Sequence, residues 1–276
     1  MKCVALQKTD EIQSRRQNKK ENYIINNIMF IDTHAHLYLC NKKLSELLKN
    51  AGQNNIEYII NVGIDIKTSL LSYEQSKISH KIIPTAGIHP SSYKNDSQFD
   101  EIKELINKYK FKAIGETGLD YHHHYTSVEN QKKLFIFHLG LAREHNLPVI
   151  IHNRKADQDI LEIIKDYQDL KMVFHCYSTD VDFAREVDRE GVYFSFTGSI
   201  TYSKKGKVIR TVQYLPLEKI MLETDCPYLT PQKYQGQENQ PAYLIEIAQK
   251  IAEIKNCSLT KVAKTTTENA KKLFAF

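Results

Sequence analysis

Two histidines, His34 and His36, form a His-x-His motif directly after a short apolar run that contains Phe30 and Ile31. Side chains alternate faces along a β-strand, so residues two positions apart point the same way. Two neutral imidazoles aimed into one space suit the chelation of a divalent metal ion. A hydrogen-bonded histidine pair at a strand end would give the same motif. Further ligands at equivalent positions would distinguish the two interpretations.

Four more residues of ligand type lie at or just after the ends of predicted strands. The fourth, fifth and sixth predicted strands end at Glu116, His152 and His175, and the eighth is followed by Asp225. The carboxyl ends of the strands in a parallel barrel gather on one face, so all six side chains are expected in one bowl. Each of them alone could be a strand-end hydrogen-bonding group or a turn former. Together, without a cation, they would leave many polar groups desolvated.

The size of this ligand set predicts the chemistry. Six ligands exceed the four of a tetrahedral zinc site and suit two ions about 3.5–4 Å apart with a shared carboxylate. We expect two divalent metal ions, with Mg, Mn, Zn and Co as the candidates, because mixed histidine and carboxylate ligands disfavour Ca. Such a pair activates water, so the predicted reaction class is metal-assisted hydrolysis.

The elements that must position these residues alternate regularly along the chain. Short apolar segments predict eight strands, at 29–33, 57–62, 82–87, 112–116, 148–152, 171–175, 192–196 and 219–223. Helical periodicity falls between them and in two closing segments, at about 42–52, 66–80, 97–109, 128–146, 156–168, 180–190, 204–214, 241–255 and 258–274. Eight such units predict an α/β fold of the closed (β/α)8 type, a TIM barrel. A doubly wound open sheet would also alternate, but no G-x-G-x-x-G turn follows the first strand.

Composition divides the 276 residues into an extension and one domain. Residues 1–28 are rich in Gln, Asn and Lys and are predicted to be a flexible polar extension, whereas 29–276 form the hydrolase domain. The net charge is +5, and the six basic and three acidic residues of the extension leave only +2 on the domain. This charge is therefore no evidence for a nucleic-acid substrate.

The cellular compartment is predicted from three features that the sequence lacks: a membrane span, a signal peptide and a C-x-x-C pair. No stretch approaches the roughly 18 apolar residues that a membrane span needs, and no signal peptide is evident. The five cysteines are scattered, without a C-x-x-C pair, and are expected to be reduced thiols. We expect a cytoplasmic protein that needs neither a membrane nor an obligate protein partner.

The sequence around these residues resembles the TatD family of metal-dependent hydrolases and nucleases, within the amidohydrolase-like barrels. The matching segments follow the family's order and cover 29–276. They are IDTHAHL at 31–37, TAGIHP at 85–90, AIGETGLDY at 113–121, PVIIHNR at 148–154, FHCYS at 174–178, LETDCPYL at 222–229 and TTENA at 266–270.

The resemblance implies a role for each candidate residue. One ion would be held by His34, His36 and Asp225, the other by His152 and His175, with Glu116 shared between them. Asp225 would also accept a proton from the attacking water, so Asp225 and Glu116 are the expected catalytic residues. His89 matches a position that faces the substrate, and Arg154 could contact a phosphate. The implied activity is phosphodiester hydrolysis of DNA by a deoxyribonuclease, in some members a 3'-5' exonuclease, so the expected partner is nucleic acid.

Two other functions remain open. An amidohydrolase-like enzyme could act on a small ester or amide, or on aminoacyl-tRNA. Other amidohydrolase branches, which act on small amides, lactones or esters, often carry a lysine where this chain has Glu116, and this favours the nuclease. A metal-binding scaffold without turnover is the third hypothesis, and the complete ligand set argues against it. Where the family usually has Arg-Asn-Glu-Pro, this chain has Glu238, Asn239, Gln240 and Pro241, so a charged contact at the mouth of the site is expected to be missing.

Two charged or titratable clusters have less specific interpretations. Consecutive residues cannot all aim at one ion, so His122, His123 and His124 are interpreted as a solvated loop, with substrate contact as the alternative. The lysines at 204, 205 and 207 are interpreted as a solvated charge run. A few lysines can also hold a nucleic-acid backbone, which is the alternative for that segment.

Overall fold

The computed structural model describes residues 29–276, and the predicted extension at 1–28 lies outside the described residues. Eight strands form in chain order, and each neighbouring pair within a sheet is parallel. They are β1 (Phe30–Ala35), β2 (Ile56–Asn61), β3 (Ile82–Pro84), β4 (Ile114–Asp120), β5 (Val149–Arg154), β6 (Met172–Phe174), β7 (Val192–Phe196) and β8 (Ile220–Leu222).

A helix follows each strand, and one more helix closes the chain. They are α1 (Leu44–Gln53), α2 (Ile66–Ile78), α3 (Ser97–Lys108), α4 (Val128–His145), α5 (Asp157–Ile164), α6 (Val181–Val187), α7 (Lys207–Tyr214), α8 (Leu244–Lys255) and α9 (Leu259–Phe274). Side-chain caps start several of them. Asp65 accepts the Thr68 amide hydrogen at the start of α2, and Ser127 accepts that of Asn130 at the start of α4.

The strands close into a barrel through two isolated bridges. Strands β1 to β3 form one hydrogen-bonded sheet and β4 to β8 another. Ala86 pairs with Ile114 between the two sheets, and Ala35 pairs with Cys226 where the first strand meets the segment after the last. The predicted (β/α)8 barrel is confirmed, and its closure brings together residues from the two ends of the domain.

Three strands around the site extend further than predicted. Strand β1 includes His34, and β4 continues to Asp120, so Glu116 lies inside its strand and not at the end as predicted. Strand β5 likewise runs past His152 to Arg154. Sequence rules end a strand where polar residues begin, but here β4 and β5 continue to pair through Asp120 and Arg154. Tertiary pairing therefore determines these strand ends.

Two helices end several residues earlier than predicted. The segment expected to be helical at 156–168 forms α5 and then a 3-10 turn over Lys165–Tyr167. The segment expected at 180–190 is helical only over Val181–Val187, because the chain extends again at Asp188 before strand β7.

A small apolar core fills the barrel interior beneath the site. Buried residues in the strands or directly beside them pack against the closing helix α9. The cluster consists of Ile31, Ile60, Val62, Ile83, Ala113, Ile150, Val173 and Met221 with Ala270, Leu273 and Phe274 of α9. A larger core packs the strands against the surrounding helices. Full burial of one large aliphatic or aromatic side chain contributes about 1.5–3 kcal/mol, so α9 adds substantially to the stability of the barrel.

Strands β4 and β5 approach each other closely beside the site. Gly118 in β4 has φ +145°, and a β-carbon there would lie 2.0 Å from the carbonyl oxygen of His152. Only glycine combines this backbone conformation with this close approach. The close pairing fixes the position of His152 relative to Glu116.

The structure also bears on the predicted reduced thiols and on the predicted absence of a membrane span. The cysteines within 29–276, at positions 40, 176, 226 and 257, are free thiols. Among the described residues, no helix is both long enough and apolar enough to cross a membrane.

Candidate metal centre

One group of predicted ligands joins the first strand to the end of the last. The Nε2 atoms of His34 and His36 lie 3.2 Å apart, and Asp225 Oδ1 lies 3.7 Å and 3.5 Å from them respectively. The Asp225 amide donates a hydrogen bond to the carbonyl oxygen of His34 at 2.8 Å. Barrel closure therefore brings a carboxylate next to the His-x-His pair.

A second group surrounds Glu116. Its Oε1 lies 2.7 Å from Nε2 of His175 and 2.9 Å from Nδ1 of His152. Its Oε2 lies 3.5 Å from Nε2 of His34. The two oxygens of one carboxylate thus face two different sets of histidines, and all six residues predicted as ligands meet in one cluster.

The two residues predicted to contact substrate lie at different depths. His89 is close to the cluster, with its Nε2 3.7 Å from Glu116 Oε1 and its ring centroid 4.4 Å from that of His152. Arg154 is exposed at the end of β5 and lines the opening of the bowl. His89 thus belongs to the floor of the site and Arg154 to its rim.

The bowl is an open cavity of about 700 Å³. Its floor includes His36, Glu116 and Asp225, and its rim carries the exposed side chains of Tyr125 and Tyr228. Such a cavity has room for a substrate larger than a single small ester group.

The outer nitrogens of two histidines face acceptors that set their tautomers. His36 Nδ1 lies 2.8 Å from the carbonyl oxygen of Val62, and His152 Nε2 lies 3.3 Å from Asp120 Oδ2. A nitrogen that donates to such an acceptor leaves the opposite nitrogen with a free lone pair. In both residues the lone pair then faces the bowl, as metal-ligating histidines require.

The charges in the bowl also suit a cation. Burial alone would raise the pKa of Glu116, but the neighbouring His175 holds that pKa well below its usual range. Burial likewise opposes protonation of His175, yet Glu116 raises its pKa well above the usual value. The site therefore stabilises positive charge beside the Glu116 carboxylate, where a bound metal ion would supply it.

The ligand atoms fall into three overlapping groups. Within each group they lie within 4.8 Å of one another. The groups are His34, His36 and Asp225; His34, Glu116 and His175; and His89, Glu116 and His152. The donor types, the lone pairs and the charge all fit the divalent metal ions predicted from the sequence.

Two buried carboxylates behind the cluster were missed by the sequence-based prediction. Asp120 accepts hydrogen bonds from the backbone amides of His122 and His123 and lies behind His152. Glu223 Oε1 lies 3.5 Å from His175 Nδ1, an ion-pair distance at which no hydrogen bond forms. Asp120 lies in the motif at 113–121, four residues after Glu116, and Glu223 lies in the motif at 222–229, two residues before Asp225. A carboxylate this close to a predicted ligand is the sequence signal that could have identified both acids.

The triple-histidine segment is partly tied to the site. Nδ1 of His123 lies 2.8 Å from Asp120 Oδ2, and its ring stacks on Tyr125. His122 and His124 are exposed, as expected for a solvated loop. His123 thus supports the carboxylate behind His152.

The residues that depart from the family pattern do not face the bowl. Glu238 Oε1 accepts hydrogen bonds from the amide and side chain of Asn41, and Gln240 Oε1 accepts one from the Asn50 side chain. Neither residue lines the cavity. In this chain these positions join the segment after β8 to the segments after β1.

Comparisons with known proteins agree with the fold and with a metal-dependent hydrolase. The family model for TatD related DNase matches residues 31–275. The chain is 37% identical over 252 residues to YabD of Bacillus subtilis (strain 168), named a metal-dependent hydrolase, covering 89% of this chain and 99% of that protein. It is 29% identical to the metal-dependent hydrolase YcfH of Escherichia coli (strain K12), covering 90% and 96%. The crystal structure of YjjV, a TatD homolog from Escherichia coli K12, superimposes with a TM-score of 0.83 at 25% identity, covering 90% and 98%.

A parallel barrel with histidines and carboxylates gathered at the carboxyl ends of its strands is the framework of a metal-dependent hydrolase. Within that class, the chain belongs to the TatD related DNase family. The resemblance in the sequence is thereby confirmed over residues 31–275.

Proposed function

We propose that the protein is a deoxyribonuclease that hydrolyses phosphodiester bonds with the help of two divalent metal ions. The observation that carries this proposal is the position of Glu116, whose two carboxylate oxygens face two separate sets of histidines. A shared carboxylate of this kind is typical of two-metal hydrolytic sites. The name of the matching family supports DNA as the substrate.

The residues present divide into two ligand sets. His34, His36 and Asp225 would hold one ion, and His152 and His175 the other, with Glu116 shared. When bound, the ions would lower the pKa of a water molecule and stabilise negative charge on a phosphoryl oxygen. The chain itself must position the phosphate and remove a proton.

Asp225 is the proposed proton acceptor. Burial would raise its pKa, but the neighbouring His36 and His34 lower it, so the carboxylate is ionised at neutral pH. It lines the open bowl next to His36, where a nucleophilic water would have to lie. An ionised acid at this place can accept the proton of that water.

His89 and Arg154 are the proposed phosphate contacts. Burial lowers the pKa of His89 to about 3, so its ring is neutral at physiological pH. The amide of Ser91 donates to His89 Nδ1, which leaves the ring hydrogen on Nε2, facing the bowl. His89 would therefore donate one hydrogen bond to a phosphate oxygen, whereas Arg154 at the rim would supply charge.

The deciding experiment measures cleavage after the purified protein has been stripped with a chelator. Single-stranded DNA, double-stranded DNA, RNA and small esters are tested with Mg, Mn, Co or Zn added back. The proposal expects metal-dependent release of nucleotides from DNA. Cleavage of small esters or amides without any cleavage of nucleic acid would favour the amidohydrolase alternative. Tight metal binding without turnover on any substrate would favour a scaffold.

A further inference from the structure

Three adjoining cavities on the described surface, together called the groove, share lining residues and begin at the metal bowl. Ser199 and Leu229 line both the bowl and a neighbouring cavity of about 470 Å³. Tyr202 lines that cavity and a third one, of about 450 Å³, between the segment after β7 and helix α8. A molecule bound in the bowl can therefore extend along this groove past Tyr202.

The far end of the groove is rich in lysine. Its wall carries Lys204, Lys233 and Lys250 against Glu246 and Glu253, a net charge of +1. Lys233 pairs with Glu246, and Lys250 pairs with Glu253. The uncompensated charge on this wall is therefore that of Lys204.

The segment next to Lys204 adds more uncompensated charge. Lys205 and Lys207 are exposed like Lys204, and within 29–276 none of the three forms an ion pair with a carboxylate. A solvated charge run needs no groove beside it, whereas this one borders a groove that continues to the bowl. Unpaired lysines at that place are suited to a polyanion.

Tyr202 lies at the junction between the bowl and the lysines. Its side chain is 45% exposed, while its hydroxyl donates to the carbonyl oxygen of Thr230 at 3.0 Å. The ring is thus held in place with much of its surface open to the groove. An exposed, fixed aromatic ring can stack with a nucleobase, an interaction that tolerates any base.

We propose that this groove binds the part of a nucleic-acid strand that lies several nucleotides from the scissile phosphodiester. Lys204, Lys205 and Lys207 would contact the phosphates there, and Tyr202 would stack with a base on the way. The inference rests on the proposed function, because a polymer substrate is needed to fill the bowl and the groove together. A small ester would occupy the bowl alone.

The test compares the wild-type protein with the triple variant Lys204→Gln, Lys205→Gln, Lys207→Gln. Binding of a fluorescent single-stranded DNA of about 15 nucleotides is measured by anisotropy with chelator present, so that no cleavage occurs. We expect the triple variant to bind about tenfold more weakly. The slope of log affinity against log salt concentration should become less negative by about 2. Hydrolysis of bis(p-nitrophenyl) phosphate by the metal-loaded triple variant should be unchanged.

The matched control removes the same charge elsewhere. Lys261, Lys264 and Lys272 are exposed on α9 and line none of the three cavities. Their triple glutamine variant should bind the DNA like the wild type. Equal weakening in both variants, or in neither, would overturn the groove proposal. Failure of the wild type to hydrolyse any phosphodiester would instead overturn the proposed function, while the binding data would still report on the groove.

Discussion

Glu116 and His175 form the shortest contact of the metal cluster, with 2.7 Å between Oε1 and Nε2. The other oxygen of the same carboxylate faces His34 on the opposite side of the bowl. Glu116 therefore links the residues of strands β4 to β6 with those of β1. This relationship predicts that the carboxylate serves both proposed ions at once.

Replacement of Glu116 by glutamine should remove metal binding and hydrolysis together. The amide keeps the size of the side chain but carries no negative charge, so neither ion would be held. We expect a loss of more than about 100-fold in metal affinity, beyond the range found for outer partners of metal ligands. Calorimetric titration with Mn or Zn, and metal content after dialysis, measure the change.

A surface variant controls for the loss of one carboxylate. Glu144 pairs with Lys103 on the exterior, and such exposed pairs contribute at most about 1 kcal/mol. Glu144→Gln should leave metal content and turnover as in the wild type. Full activity and full metal content in Glu116→Gln would contradict the bridging role.

Glu223 should act through His175. It is fully buried, accepts a hydrogen bond from Ser195 and lies behind the Nδ1 atom of His175. Its negative charge, 3.5 Å from the ring, raises the basicity of the imidazole, as outer carboxylates do for metal-ligating histidines. Glu223→Gln should therefore weaken metal binding by about 10–100-fold, measured by competition with a chromogenic chelator.

Ser195→Ala is the companion variant for Glu223. It removes one hydrogen bond to the carboxylate but keeps its charge, so metal affinity should fall less than in Glu223→Gln. Both variants should still unfold cooperatively. An unchanged metal affinity in Glu223→Gln would show that His175 needs no outer carboxylate.

His138 should make stability depend on pH. The buried ring accepts a hydrogen bond from the Ile88 amide at Nε2, and its Nδ1 lies 2.8 Å from the Leu134 carbonyl oxygen. Burial lowers its pKa to about 4 from the usual 6.5. Between these two values the unfolded chain binds a proton that the folded chain does not, so stability is present above pH 6.5 and is lost as the pH falls towards 4.

His138→Gln isolates this contribution. The difference in unfolding free energy between wild type and variant should change by about 1.4 kcal/mol per pH unit within that window, and level off below it. Urea unfolding at a series of pH values, with chelator present, gives the measurement. A difference that stays constant from pH 7 to pH 4 would show that His138 has the same pKa in the folded and the unfolded chain.

Gly118 and Gly140 should respond oppositely to alanine. A β-carbon at Gly118 would collide with the His152 carbonyl oxygen, whereas Gly140 on the surface of α4 has nothing within 4 Å. We expect Gly118→Ala to destabilise the protein by about 3 kcal/mol or more and to lower metal content, because His152 must shift. Gly140→Ala should stabilise it by about 0.5–1 kcal/mol through its helix preference. Denaturant titration compares them, and similar effects in both would refute the close approach of β4 and β5.

Local patterns in the sequence were sufficient to predict the strand order, the barrel and the residues that meet in the bowl. The i, i+2 spacing of His34 and His36 and the positions of His152 and His175 near strand ends follow from short-range periodicity. Short-range periodicity cannot indicate where pairing between strands stops. For that reason Glu116 was predicted at the end of a strand that in fact continues to Asp120.

The sequence by itself determined the types and the order of the candidate ligands, and hydrophobic alternation, which is encoded locally, placed them near strand ends. Only the tertiary structure decided which groups contact them and which cavities adjoin the bowl. The Asp32 carboxylate accepts a hydrogen bond from the Thr224 hydroxyl across 192 residues of chain, and Glu223 reaches His175 from a different strand. Such contacts arise when the barrel closes, since closure brings distant strand ends to within a few ångströms. The spacing of residues along the sequence does not predict which distant strand ends come into contact.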